Sequence, residues 1–204
     1  MFQQEKDREQ GYRPGVGLLL IHNGMVLLAR RESIWSCINL LDESKPFFEE
    51  KPPWMYGWDI PQGGINPGET FQQAIHREIE EELGDEWNAL INDPPRLIIR
   101  NQLNFPVKKD GIEWLGKVYY YHAIQVISVP MAGDFAGGID YIDWVYGFHQ
   151  DEGMHPYPVR EFPGGVLFMN YEEACDCILK TQRGQKGQML LNVLNELKVQ
   201  ELIC

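Results

Sequence analysis

No stretch of this sequence approaches the ~20 consecutive apolar residues of a membrane-spanning helix, so association by a transmembrane segment is not expected. Basic residues are scarce: 18 Lys and Arg stand against 30 Asp and Glu, for a formal net charge of −12. Sequence-independent binding to a nucleic-acid backbone depends on Lys and Arg neutralising phosphates. Extensive contact of that kind is therefore not expected, and any polynucleotide would be held at its end. Cysteine is sparse as well. Cys37, Cys175, Cys177 and Cys204 lack the C-x-x-C spacing of a zinc site, and Cys175 and Cys177 would diverge on a helix, so free thiols are expected. The first ten residues, M-F-Q-Q-E-K-D-R-E-Q, contain no apolar stretch; no signal peptide is expected, and a cytoplasmic location follows as the expectation. Internal repeats and low-complexity tracts are absent. What remains is 204 residues, 44% hydrophobic and 24% charged, an ordinary globular make-up with enough chain for a sizeable core. One domain with decorations, residues 1 to 204, is the natural expectation.

The densest pattern lies in residues 63 to 85, G-G-I-N-P-G-E-T-F-Q-Q-A-I-H-R-E-I-E-E-E-L-G-D. Thr70 followed by Gln73 is a capping box, and Gly84 supplies a stop, so a short helix is predicted between them. At about 100° per residue, Phe71, Ala74, Ile75, Ile79 and Leu83 form an apolar stripe. Glu78, Glu81 and Glu82 share a sector along its edge, while Glu80 points away. These like charges at i, i+3 and i+4 cost roughly 0.2–0.5 kcal/mol per pair, so a positive group should sit among them. Hard oxygen ligands beside a glycine turn suit Mg²⁺ or Mn²⁺, which bind few carboxylates and share their remaining positions with water and phosphates. His76 faces away from the glutamates and is predicted to be solvent-exposed.

Elsewhere, residues 16 to 31 read as a hairpin about Asn23-Gly24, the strongest short-range hairpin signal. A second hairpin is predicted between R-L-I-I-R-N-Q-L-N-F and W-L-G-K-V-Y-Y-Y-H-A-I-Q-V-I, turning near Asp110-Gly111. Asn170 is a cap for a helix reaching about Lys180. K-T-Q-R-G-Q-K-G then reads as a linker to an extra amphipathic helix at about 188 to 202. The sum is an α/β chain: an α/β/α sandwich around a mixed β-sheet.

Residues 63 to 85 resemble the Nudix box, G-x(5)-E-x(7)-R-E-U-x-E-E-x-G-U with U a bulky aliphatic residue. Gly63, Glu69, Arg77, Glu78, Ile79, Glu81, Glu82 and Gly84 match in register, and only Asp85 departs. W-D-I-P-Q-G-G at Trp58 to Gly64 and G-Y-R-P-G-V-G at Gly11 to Gly17 are similar to the bacterial RNA pyrophosphohydrolase and dinucleoside polyphosphate hydrolase branch of that family. So are A-R-R at Ala29 to Arg31, R-N at Arg100 and Asn101, and Y-P-V-R at Tyr157 to Arg160. Against that branch, residues 32 to 57 are an insertion rich in aromatic and acidic residues.

The resemblance implies a Nudix-type sandwich and specific roles. Glu78, Glu81 and Glu82 would be ligands for Mg²⁺ or Mn²⁺, with a backbone carbonyl of the Gly63-Gly64 turn as a further ligand. Glu69 and Arg77 would form a structural ion pair fixing loop against helix. Asp140 is the candidate for a later carboxylate, with Asp143 the alternative, and the general base is Glu78 or Asp140. Arg13 and Arg31 would contact phosphates, and Arg30 and Phe168 would sandwich a base. The implied activity is pyrophosphohydrolysis of a nucleotide 5′-polyphosphate, either an RNA 5′-triphosphate end or a dinucleoside polyphosphate. The alternatives are hydrolysis of another nucleoside diphosphate derivative, or nucleotide sensing without catalysis.

Overall fold

The computed structural model describes residues 3–30, 58–127, 157–159, 162–182 and 184–204. Helix α1 (Gln3–Glu9) leads into β1 (Tyr12–His22) and β2 (Met25–Arg30), followed by the short strands β3 (Trp58–Asp59) and β4 (Gln62–Gly64). Next come α2 (Phe71–Glu82), α3 (Asp85–Asn88), β5 (Arg96–Leu103), β6 (Val107–Lys109), β7 (Ile112–Trp114) and β8 (Gly116–Gln125). The chain closes with β9 (Tyr157–Val159), β10 (Phe162–Met169), α4 (Tyr171–Thr181) and α5 (Gly184–Val199). The insertion at residues 32 to 57 lies outside the described residues.

The main sheet runs in the order β5-β8-β1-β2-β10-β9, with β3 added to β2 and β4 to β1. It is mixed: β1 pairs with β8 in parallel, from Tyr12 opposite Gly116 to Ile21 opposite Gln125, while the other pairings are antiparallel. The unbroken apolar run in β1 marks a strand covered on both faces, and Pro14 through Ile21 are all buried. The β1–β2 turn is the expected one, with Asn23 and Gly24 at φ 49° and 74°, the positive angles a two-residue hairpin needs.

One face of the sheet buries Val16, Leu18, Leu20, Val118 and Tyr120 against Ala74, Ile75, Ile79 and Leu83 of α2. The other buries Leu19, Ile21, Leu28 and Tyr121 against α4 and α5 through Ala174, Ile178, Leu190, Val193 and Leu197. This is the α/β/α sandwich, with helices on both faces of a mixed sheet. Among the described residues no helix is long and apolar enough to cross a membrane.

Two local expectations change. β5 and β8 do pair antiparallel, but the Asp110-Gly111 turn, at φ 52° and 77°, closes a separate hairpin of β6 and β7. Pro106, just past β5, has no N–H to continue the ladder. The final helix starts at Gly184, so the expected linker is mostly helical. Gly187 is packed: a Cβ there would lie 3.0 Å from the Gln182 carbonyl oxygen, so the short connection between α4 and α5 folds tightly against this position.

Candidate active site

The Nudix-like segment builds a loop and a helix held against the end of β1. Thr70 caps α2 as expected, accepting from Gln73 N at 3.3 Å while Thr70 N donates to Gln73 Oε1 at 2.9 Å. The apolar stripe faces the sheet, which fixes the rotation of the helix and sets its acidic residues beside β4. Glu78 and Glu82 are buried at 6% and 7% exposure. Glu81 and Glu80 are exposed.

Gly63 is required by this approach: a Cβ at that position would overlap the Glu78 carboxylate. Glu82 Oε2 accepts from the backbone N–H of Gln62 at 2.9 Å, fastening the far end of the cluster to the same turn. The positive group expected among the glutamates is Arg77. Its Nη1 donates to Glu78 Oε1 at 2.7 Å and to Glu81 Oε2 at 3.1 Å. Its Nε and Nη2 grip both oxygens of Glu69 at 2.8 and 3.0 Å, and Nη2 also donates to the Gly64 carbonyl at 2.6 Å. One guanidinium thus ties loop, glycine turn and helix together, a task its planar fork of donors suits.

The fork acts differently on its partners. Its hydrogen bonds hold the Glu69 carboxyl below its ordinary range. Glu78 is shifted upward, because burial outweighs the opposing hydrogen bond and charge of Arg77. A buried carboxylate raised by desolvation is a feature of functional sites.

Among the described residues no three acidic, histidine or cysteine side chains converge as a metal cage, and Arg77 spans Glu78 and Glu81. The donors nonetheless fit a hard divalent cation. All are oxygens, two belong to buried carboxylates, and the absence of a side chain at Gly63 lets the Glu78 carboxylate sit directly against the turn.

Arg13 lies at this turn. On β1 opposite Lys117, its Nη2 is 2.5 Å from where a Cβ on Gly64 would stand. Lys117 was not singled out from the sequence; its Nζ is 3.3 Å from Tyr119 Oη and 5.8 Å above that ring. Only the parallel register, which sequence pattern does not report, brings these two cations side by side. Arg30 ends β2, its backbone opposite Trp58. Arg31, Asp140 and Asp143 lie outside the described residues.

Two assignments are corrected. Phe168, expected to stack on a base, is 6% exposed, with Trp87 stacked at 6.4 Å and His22 edge-on at 5.9 Å. It pairs with Leu27 on the face covered by α2 and belongs to the core. His76 is half-buried: its Nδ1 lies 2.9 Å from Asn88 Oδ1, and Asn88 Nδ2 donates to its carbonyl at 3.1 Å. It fastens α3 to α2.

A family model of the NUDIX domain matches residues 11–124. An RNA pyrophosphohydrolase of Serratia proteamaculans is 34% identical over 109 residues, covering 52% of this chain and 47% of that protein. Another, of Erwinia tasmaniensis, is 34% identical over 166 residues, covering 75% of each chain. The chain therefore spans about half the length of the Serratia relative and three quarters of the Erwinia one. Among solved structures, the NUDIX hydrolase from Nitrosomonas europaea aligns with a TM-score of 0.48 at 12% identity, covering 94% of this chain and 92% of that one. With the family model spanning more than half of the residues and the box carboxylates gathered about the Gly63-Gly64 turn, the chain belongs to the Nudix hydrolase family.

Proposed function

We propose that this protein is a metal-dependent pyrophosphohydrolase that cleaves a phosphoanhydride bond in a nucleotide 5′-polyphosphate, either an RNA 5′-triphosphate end or a dinucleoside polyphosphate. The observation that carries the reading is the Arg77-centred cluster, which gathers Glu69, Glu78 and Glu81 about a glycine turn beside the cation Arg13. Relatives named RNA pyrophosphohydrolase support the substrate class.

A phosphoanhydride resists water because the phosphorus is shielded by negative charge. Glu78, Glu81, Glu82 and the Gly63 carbonyl would hold Mg²⁺ or Mn²⁺, which when bound would neutralise phosphate charge and activate water. The chain's own contribution is positioning. Arg77 and Glu69 fix the loop against the helix, Gly63 lets the turn approach Glu78, and Arg13 offers a planar fork to a phosphate. Glu78 is suited to accept a proton, since burial raises its affinity for one; Asp140 is the other candidate for that role. Arg30 and Arg31 are retained as substrate contacts.

The −12 net charge confines an RNA substrate to contact at its phosphorylated end. The test is turnover of 5′-triphosphorylated RNA, dinucleoside polyphosphates, sugar nucleotides and NADH, with EDTA and with added Mg²⁺ or Mn²⁺. Hydrolysis of the first or second class, lost in EDTA and restored by either cation, is expected. Full turnover in EDTA, preference for a sugar nucleotide or NADH, or tight nucleotide binding with no turnover would overturn the reading.

A further inference from the structure

Helix α1 has only seven residues, yet three of its side chains leave it to grip other elements. Asp7 is fully buried. Its Oδ1 accepts from Arg100 Nη2 of β5 at 2.7 Å and its Oδ2 from the Tyr120 hydroxyl of β8. Burial first, then Asp7, pushes that hydroxyl up to about 12, so it remains a donor at neutral pH. Asp7 thereby anchors α1 to two adjacent strands of the rigid sheet. A buried carboxylate with two charged or hydroxyl donors is strongly specified, because losing either partner leaves an unsatisfied group.

From that anchor, α1 reaches the loop between β4 and α2. Arg8 donates through Nη2 to the Ile65 carbonyl, and its Nη1 is held by Glu5 Oε1 at 2.6 Å. Gln4, 1% exposed, donates from Nε2 to the Glu69 carbonyl at 3.2 Å. The two carbonyls bracket the segment that presents the Glu69 carboxylate to Arg77. Arg8 also lowers the proton affinity of Glu69 through its charge. On the opposite side the Ile65 amide is held by Pro14 O at 3.1 Å.

We propose that α1 is a brace for the loop between β4 and α2 and that Arg8 is a positioning residue acting through Ile65 and Glu69 on the Arg77-held carboxylates. It touches neither cation nor substrate. The effect on cation affinity rests on the metal-site reading above; the effect on the loop does not. Without the Arg8 hydrogen bond, residues 65 to 69 sample more conformations, and the cation must order them as it binds.

The experiment combines two measurements on the full chain. Mn²⁺ binding is titrated by the electron paramagnetic resonance of free Mn²⁺, and amide hydrogen exchange is followed over residues 65 to 70. Arg8→Ala should weaken Mn²⁺ binding about tenfold, ~1.4 kcal/mol, and speed loop exchange, with Arg8→Lys recovering part of both. If Glu82→Gln abolishes Mn²⁺ binding but Arg8→Ala binds as wild type does, the positioning role is overturned. If wild type shows no Glu82-dependent binding, the metal reading fails; the brace then stands or falls on whether Arg8→Ala quickens loop exchange. A lower melting temperature with unchanged exchange and Mn²⁺ affinity would reduce α1 to ordinary packing and overturn the proposal. Should Arg8→Ala not fold, Gln4→Ala removes the other bond to the loop and is read the same way.

Discussion

At the scale of single residues, the acidic cluster was legible because helical periodicity fixes which side chains share a sector. Glu78 and Glu82 flank the apolar stripe and become buried when that stripe docks, while Glu80 is carried outward. Glu82→Gln keeps the side-chain volume and removes a carboxylate, so hydrolysis should fall by more than the roughly 10–100-fold typical of a lost outer-shell partner, with little change in the unfolding midpoint. Glu80→Gln on the same helix should leave the rate near wild type; comparable losses in both would displace the site from Glu82. The expectation for Phe168 departs from its buried position because the resemblance of a motif does not say which face of its strand is covered. Opposite Leu27 and beneath Trp87, it is a core ring. Phe168→Ala should cost ~3–5 kcal/mol in urea unfolding while the folded fraction keeps its Kd for a non-hydrolysable nucleotide. A large rise in Kd without loss of stability would restore it to the base site.

Among elements, those with local chemical signatures were readable: the Thr70 and Asn170 capping boxes and the Asn23-Gly24 turn are each written within four residues. Long-range relations were not. The parallel pairing of β1 with β8, which sets Arg13 beside Lys117, joins residues about a hundred positions apart in sequence, and no local pattern encodes that choice. The role of α5 was hidden for the same reason. An amphipathic helix after a glycine-containing stretch reads as an appendage. Here it buries Leu190, Val193, Leu194 and Leu197 under the sheet, and Lys186 pairs with the buried Asp59 of β3 beside the box loop. Each such apolar side chain contributes roughly 1.5–3 kcal/mol when buried, and four together rival the ~5–15 kcal/mol that holds a typical domain folded. Ending the chain before Gly184 should therefore give a protein without a cooperative thermal transition. A truncated chain that melts cooperatively near the full-length temperature would show that the sheet and α2 suffice.

For the molecule as a whole, an excess of acidic groups makes pH a natural probe, and His122 gives its response a definite sign. It stands on β8 with 4% exposure, its Nδ1 3.0 Å from the Tyr120 carbonyl and its ring 5.2 Å from that of Phe71. Burial is the leading cause that lowers its pKa, outweighing the opposing hydrogen bond to the backbone. The folded protein therefore keeps the imidazole neutral at pH values where the unfolded chain, with an ordinary value of about 6.5, has already taken up a proton. Because the unfolded state binds more protons in that window, stability falls as pH falls. The contribution of this group is fully present above the unfolded value and is lost as pH drops through the lower folded one. Glu78 has the opposite sign: its raised folded value means that its contribution is present at low pH and fades as pH rises above the ordinary carboxylate range. The two are separated by substitution. His122→Gln keeps a donor for the Tyr120 carbonyl and removes the titration, so its unfolding free energy should vary less with pH just below ~6.5 than that of wild type. The difference in slope should approach, and not exceed, ~1.4 kcal/mol per pH unit, the limit for one proton. Urea unfolding at closely spaced pH values measures it directly. Parallel curves for the two proteins would mean that His122 titrates alike in both states, and that water reaches a ring the sheet and Phe71 are here found to cover.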